Sequence, residues 1–94
     1  MELRLHPDAV AEARAARLWY AGRSARAAHA FVVQLDRALQ AIVEAPSRWP
    51  VRAGVRRYVM RRFPFVIVYR ESEALVEVIA IAHARRRPGY LRIR

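Results

Sequence analysis

The chain has 94 residues, of which 55% are hydrophobic and 28% charged, a composition that predicts one globular domain over residues 1–94 with a single core. All 18 of its strongly basic residues are Arg, and against 8 acidic residues they give a net charge of +10, which favours a polyanionic partner. Cys is absent and the three His are widely spaced, which excludes a disulfide framework and predicts that no metal or cofactor is bound.

The first two predicted elements are a short strand and an Ala-rich helix. Residues Glu2–His6 alternate Leu with polar side chains, which is the period-2 pattern of a strand with one buried face. Pro7 suits the first turn of a helix, and Asp8 suits the positive end of the helix dipole. We predict that this helix runs to about Tyr20, with its Ala residues favouring close packing. Its larger packing groups are expected to be Val10, Leu18 and Trp19.

A second helix is predicted after a short turn. Gly22 suits a helix C-terminus and Ser24 suits an N-cap, so residues Ala21–Ala25 predict the turn of a helical hairpin. Apolar residues then recur at intervals of three and four, which places them on one stripe facing a core. This stripe consists of Ala28, Phe31, Val32, Leu35, Ala38, Leu39 and Ile42. The helix is expected to end before Pro46, because proline disfavours a helical conformation in the residue before it.

The rest of the chain predicts a sheet. Residues Pro46–Pro50 cannot continue a helix and carry the chain across to the sheet. Strands are predicted over Val55–Phe63, Phe65–Arg70 and Leu75–Ala82, with the polar turn Glu71–Ala74 joining the last two in a hairpin. The strand Leu75–Ala82 is apolar on both faces apart from Glu77, which indicates a central position. The fold class predicted by these elements is α+β.

No segment predicts export or membrane insertion. The longest apolar run, Leu75–Ala82, is far shorter than the roughly 18 residues that a transmembrane helix needs. The N-terminus lacks the apolar core of a signal peptide. We therefore expect a cytoplasmic protein.

Two segments carry a family resemblance. Residues 54–70 read GVRRYVMRRFPFVIVYR, and residues 79–90 read IAIAHARRRPGY. Together with the helical hairpin before them, these segments resemble the RelE/ParE superfamily of toxins from type II toxin-antitoxin systems, over nearly the whole chain. The sequence departs from this pattern at Leu91, where many relatives have Trp after the final Tyr, so the packing of the C-terminal residues does not follow from the resemblance.

The resemblance implies both a fold and a partner. The implied fold has an N-terminal strand, an antiparallel helical hairpin and a twisted antiparallel sheet. The implied partner is a cognate acidic antitoxin whose extended C-terminal segment wraps the toxin in a hetero-oligomer. A free sheet edge and an apolar groove beside the hairpin could supply strand addition and helix-in-groove binding. The net charge of +10 would steer an acidic partner towards the chain.

The superfamily that the chain resembles has two known target classes. RelE-like members cut mRNA in the ribosome, whereas ParE-like members poison DNA gyrase and are not hydrolases. Arg57 and Arg61 lie four apart on a predicted strand, so they share one face and could converge with Arg85, Arg86 and Arg87 on a phosphate. The alternative for each Arg is a solvated position on the strand face.

A nuclease also needs a general base. Arg stays protonated and Lys is absent, which leaves His83, Tyr90 or a Glu as the catalytic candidates. The alternatives are a His that caps a strand end and an aromatic ring that packs on the sheet.

Two further features bear on the choice of target. Val59 and Val66 stand where RelE-type endonucleases usually place basic residues. The long hairpin, with Trp19 and Tyr20 before its turn, resembles the ParE side of the superfamily. We therefore expect a gyrase inhibitor, with a ribosome-dependent mRNA endonuclease as the alternative. A non-toxic relative, or a nucleic-acid-binding module that shares the fold, is a third interpretation.

Overall fold

The computed structural model describes residues 1–85, which form a five-stranded sheet with two helices on one face. The elements in chain order are β1 (Glu2–Leu5), α1 (Pro7–Ala21), α2 (Ala25–Glu44), a 3-10 turn (Pro46–Arg48), β2 (Val51–Arg52), β3 (Val55–Val59), β4 (Phe65–Ser72) and β5 (Leu75–His83). This arrangement confirms the predicted α+β class and the order of strand, helical hairpin and sheet.

The two helices begin where side chains can satisfy the free backbone donors of a helix start. The Oγ of Ser24 accepts a hydrogen bond from the N–H of Ala27 at 3.0 Å, which confirms the predicted N-cap of α2. At the start of α1, the Nδ1 of His6 accepts from the N–H of Asp8 at 3.0 Å. The segment His6–Asp8 was predicted to start this helix through Pro7 and Asp8, and the capping bond of His6 was not predicted.

Small side chains, rather than large ones, bury α1 against the sheet. Ala9 and Ala16 are its buried residues, and they let the helix approach β5 closely. The prediction that Val10, Leu18 and Trp19 are the larger packing groups was wrong, because these side chains are 41%, 54% and 57% exposed. The helix therefore presents apolar side chains to solvent.

The stripe predicted on α2 is largely confirmed. Phe31, Ala38 and Ile42 are buried in the core between the helices and the sheet, and Leu35 and Leu39 pack against that core while half-buried. Ala28 is also buried. Val32 lies at the margin of the stripe and is 42% exposed, so its predicted burial was wrong.

The sheet is mixed, with strand order β1-β5-β4-β3-β2. The three hairpin pairings are antiparallel, but β1 runs parallel to β5, with Leu3 opposite Val76 and Leu5 opposite Val78. The antiparallel sheet implied after the helical hairpin is confirmed for β2 to β5, and the N-terminal strand joins it through one parallel pairing. A parallel pairing needs a long connection between its strands, and here both helices and strands β2 to β4 lie between β1 and β5. The predicted interior position of the last strand is confirmed.

A β-bulge at Ile79 interrupts the alternation of β5. Val68 lies opposite Ala80 and Tyr69 lies opposite Val78, so Ile79 has no opposing residue on β4. As a result, Ile79 and Ala80 both belong to the cluster on the face away from the helices. Val78 and Ile81 belong to the core under the helices.

The loop between β3 and β4 is longer than predicted, because β3 ends at Val59 instead of Phe63. Met60 is 5% exposed, and its N–H donates to the carbonyl of Phe65 at 3.0 Å. Phe63 packs its ring against Tyr20 and Phe31, with ring centroids 5.0 and 5.5 Å apart. Met60 and Phe63 fix the two ends of this segment, and the residues between them, 61 and 62, lie at the surface.

The turn that leaves α2 is joined to the sheet by polar contacts. The hydroxyl of Tyr69, which is fully buried, donates to the carbonyl of Pro46 at 2.7 Å. The carboxylate of Glu71 accepts from the hydroxyl of Ser47 at 3.0 Å and lies 3.4 Å from the guanidinium of Arg56. Arg56 also donates to the carbonyl of Trp49.

Candidate functional site

His83 lies at the end of β5, beside a cleft between α1 and the sheet. The cleft has a volume of about 390 Å³ and is mainly apolar. Its lining residues are Glu12, Ala15, Ala16, Trp19, Phe65, Ile81 and His83. The carboxylate of Glu12 accepts a hydrogen bond from the N–H of Ile81 at 2.9 Å, which ties α1 to β5 at the floor of this cleft.

The hydrogen bonds of His83 bear directly on whether it can act as a general base. Its Nδ1 accepts from the N–H of Arg85 at 3.2 Å, and its ring meets Phe65 edge-to-face with centroids 5.4 Å apart. A neutral imidazole that accepts at Nδ1 carries its proton on Nε2, so the outer nitrogen is a donor. This geometry matches the alternative reading of His83 as a residue that caps a strand end.

The structure separates the arginines that were expected to converge. Arg57 lies opposite Val68 on the face of the sheet away from the helices, and its guanidinium is 3.5 Å from the carbonyl of Arg52. Arg61 lies in the loop after β3, beside α2 on the helix side. The prediction that Arg57 and Arg61 share one strand face was wrong, because the strand ends before Arg61.

Three of the predicted site residues, Arg61, His83 and Arg85, do lie at one end of the sheet. Arg85 follows β5 in an exposed turn, and the N–H of Ala84 donates to the carbonyl of Pro64 at 2.7 Å. This bond joins the turn after β5 to the loop that carries Arg61. The remaining predicted residues, Arg86, Arg87 and Tyr90, lie outside the described residues.

A second cavity lies between α2 and the loop after β3, and we call it the arginine pocket. Its volume is about 450 Å³. The residues that line it are Gln34, Arg37, Ala38, Tyr58, Arg61 and Arg62. Sequence reasoning selected Arg61 but missed Arg37 and Arg62. Arg37 occupies the polar side of α2, where nothing in the sequence distinguishes it from other solvated arginines.

Ion pairing divides the arginines into two groups. Arg4, Arg56 and Arg70 each lie 3.4 Å from a Glu carboxylate. In contrast, the arginines of the pocket form no ion pair within residues 1–85. Their positive charge is therefore free to act on a partner.

Val59 and Val66, which were singled out in the sequence because they are not basic, lie opposite each other on β3 and β4. Val59 is 71% exposed, so the side chain at this position is accessible from solvent. The two residues therefore form an apolar pair across the strands, with Val59 at the surface.

The described residues offer little for metal chemistry. Residues 1–85 contain no group of three or more His, Cys, Asp or Glu side chains placed to hold a metal ion. Burial raises the pKa of the Tyr20 hydroxyl, so this group beside the core stays protonated near neutral pH.

Within residues 1–85, neither helix is long and apolar enough to cross a membrane.

Comparisons with known proteins agree with the predicted fold and family. One solved structure, described as the chromosomal ParDE TA system from P. aeruginosa, matches with a TM-score of 0.69 and 23% sequence identity. The match covers 88% of this chain and 95% of that one, and at this identity it shows the fold alone. Comparison with curated proteins gives no match.

The family model for the ParE toxin of the parDE type II toxin-antitoxin system matches residues 3–88. This match spans nearly the whole chain and favours the ParE-like prediction over the RelE-like alternative. The chain therefore belongs to the ParE toxin family of type II toxin-antitoxin systems.

Proposed function

We propose that this chain arrests bacterial growth by inhibiting DNA gyrase and that a cognate acidic antitoxin neutralises it. The observation that carries the proposal is the match of the ParE toxin family model to residues 3–88. Gyrase is the target associated with ParE-like members of the superfamily that the sequence resembles. The target lies in the cytoplasm, so the chain would act there.

The local chemistry supports a mode of action without hydrolysis. The Nδ1 of His83 is already engaged by the N–H of Arg85, and its other nitrogen is a donor in the neutral ring. Arg cannot accept a proton near neutral pH, and Lys is absent from the sequence. A gyrase inhibitor needs no proton transfer of its own, because it acts by binding.

The antitoxin is the second part of the proposal. The solved relative is described as a ParDE toxin-antitoxin system, which supports a partner of this kind for our chain. A net charge of +10 favours rapid encounter with an acidic protein. The exposed Leu18 and Trp19 of α1 give such a partner apolar groups to cover. We expect the two proteins to form a hetero-oligomer.

A direct test uses purified toxin with gyrase and with translating ribosomes. We expect the wild-type chain to make gyrase accumulate cleaved DNA complexes while ribosome-bound mRNA stays intact. Charge reversal of Arg85, Arg86 and Arg87 should abolish this effect if these predicted residues contact the target. His83→Gln should reduce it only modestly, since the side-chain amide can keep an acceptor near the N–H of Arg85.

The opposite pattern would identify the RelE-like alternative. Loss of a general base typically slows a reaction by ~100-fold or more, so His83→Gln would then suppress mRNA cleavage by at least that factor. Toxin-dependent cuts in ribosome-bound mRNA, with gyrase unaffected, would overturn the proposed target. Expression in bacteria with and without the adjacent reading frame tests the antitoxin separately, because the neighbour should restore growth.

A further inference from the structure

The arginine pocket is lined by three arginines from two elements that are distant in sequence. Arg37 comes from α2, whereas Arg61 and Arg62 come from the loop after β3. Gln34 and Tyr58 add an amide and a hydroxyl to the lining, and Ala38 contributes an apolar surface. The cavity thus combines several hydrogen-bond donors with a concave shape, as an anion site requires.

The backbone of Arg62, one of the residues that line the pocket, has a conformation that costs free energy. Its φ is +70°, in the left-handed region that non-glycine residues rarely adopt. The loop is fixed on either side by buried Met60 and by Phe63, which packs against Tyr20 and Phe31. Strain of this kind persists where surrounding contacts enforce it, and it is concentrated at functional positions.

The described residues supply no ion-pair partner to the arginines of this pocket. No ion pair within residues 1–85 includes Arg37, Arg61 or Arg62. The nearest carboxylate in sequence, that of Asp36, accepts from the side chain of Gln40 at 3.2 Å and lines a different cavity on α2. Residues 86–94 contain neither Asp nor Glu. An anion from another molecule would relieve the repulsion among the three cations.

We propose that the arginine pocket binds an acidic side chain of the cognate antitoxin and is one of the contacts that neutralise the toxin. This inference rests on the proposed function, which supplies the antitoxin. A carboxylate on a flexible side chain can enter a cavity of about 450 Å³ and pair with a guanidinium through two parallel hydrogen bonds. The phosphates of a DNA duplex lie on a stiff rod and fit a broad open surface better. The amide N–H of Gln34 and the hydroxyl of Tyr58 can donate to the second lone pairs of the same two carboxylate oxygens.

The test compares two variants that remove the same charge from different surfaces. The pocket variant carries Arg37→Gln, Arg61→Gln and Arg62→Gln. The control variant carries Arg14→Gln, Arg17→Gln and Arg26→Gln, which are exposed helix residues without an ion pair within residues 1–85. Any effect of net charge on long-range attraction is then equal in both. Circular dichroism melts establish that each variant is folded before binding is measured.

Binding is measured by calorimetry with the purified acidic protein from the adjacent reading frame, and in parallel with a 20-base-pair DNA duplex. We expect the pocket variant to raise the dissociation constant of the acidic protein at least ~30-fold, because truncating one partner of a desolvated charge pair is costly. The control variant should raise it less than ~3-fold, through weaker steering alone. DNA affinity should fall equally in both variants, because its binding depends on overall charge.

Three other binding results would each contradict a specific claim. Equal losses of antitoxin affinity in the two variants would refute the pocket as a contact while leaving the proposed function intact. A selective loss of DNA binding in the pocket variant, with antitoxin binding retained, would identify a phosphate site instead. Failure of the wild-type chain to bind the acidic protein would refute the proposed antitoxin and this inference together. If the triple variant does not fold, Arg37→Gln alone, on an exposed helix position, gives the same comparison against Arg26→Gln.

Discussion

Replacing Tyr69 with Phe removes one hydroxyl from the core and leaves the ring in place. The side chain is fully buried, and its hydroxyl donates to the carbonyl of Pro46, itself buried, at 2.7 Å. The lost hydrogen bond is worth about 1 kcal/mol net, and a buried carbonyl without a donor adds a desolvation penalty of the same order. We therefore expect Tyr69→Phe to lower the free energy of unfolding by about 2 kcal/mol at neutral pH.

Urea denaturation followed by circular dichroism measures this loss, with Tyr58→Phe as the matched control. The hydroxyl of Tyr58 has no hydrogen-bond partner within residues 1–85, and its side chain is half-buried. The control should change stability by less than about 0.5 kcal/mol, as substitutions away from buried features usually do. An equally small loss in Tyr69→Phe would show that the turn after α2 is not tied to the sheet by this bond.

Tyr69→Phe should also change how the free energy of unfolding depends on pH. Burial raises the pKa of Tyr69, with Arg56 lowering it and Glu71 raising it. Because the folded pKa exceeds the unfolded value of 10.0, the stabilisation is complete below pH 10 and is lost as pH rises through the folded pKa. The difference in stability between wild type and Tyr69→Phe should therefore shrink above pH 10. Tyr20 titrates in both proteins, so it cancels in this comparison. A difference that grows with pH would contradict the assignment.

Three further predictions are checked by the same denaturation measurement. Ile79→Ala should lower the free energy of unfolding by about 2–5 kcal/mol, because Ile79 is 3% exposed. Leu35→Ala should lower it less, because Leu35 is half-buried. A larger loss for Leu35→Ala than for Ile79→Ala would contradict the packing described. Ser24→Ala should cost about 1 kcal/mol by removing the N-cap of α2, whereas an unchanged midpoint would argue against that cap. Arg62→Gly should stabilise the chain by about 1 kcal/mol, since glycine adopts a positive φ without a Cβ penalty, and destabilisation would show that Arg62 is not strained.

Local signals in the sequence were sufficient for most of the elements. Ser24 marks the start of α2, and Pro46 marks its end, because each acts on the backbone beside it. The apolar spacing of α2 identified Phe31 and Ile42 as core residues because a helix repeats over adjacent turns. The apolar run predicted the last strand as Leu75–Ala82, and the observed strand ends one residue later, at His83.

The features that the sequence did not predict depend on contacts between distant segments. The buried face of α1 is set by how closely the helix must approach β5, which favours Ala9 and Ala16 over the larger Leu18. The parallel pairing of β1 involves residues more than 70 positions apart, as between Glu2 and Leu75. The arginine pocket likewise depends on where β3 ends relative to α2, so no spacing rule could have joined its residues.

The β-bulge at Ile79 also marks the point at which β5 can change in length without reversing the faces of its side chains. Because Ile79 and Ala80 both face away from the helices, deleting one of them would restore a regular ladder and leave Val78 and Ile81 facing the core. Deleting a residue beyond the bulge would instead turn the side chains that follow, including His83, through to the opposite face. Homologues that differ by one residue in this strand are therefore expected to differ at the bulge.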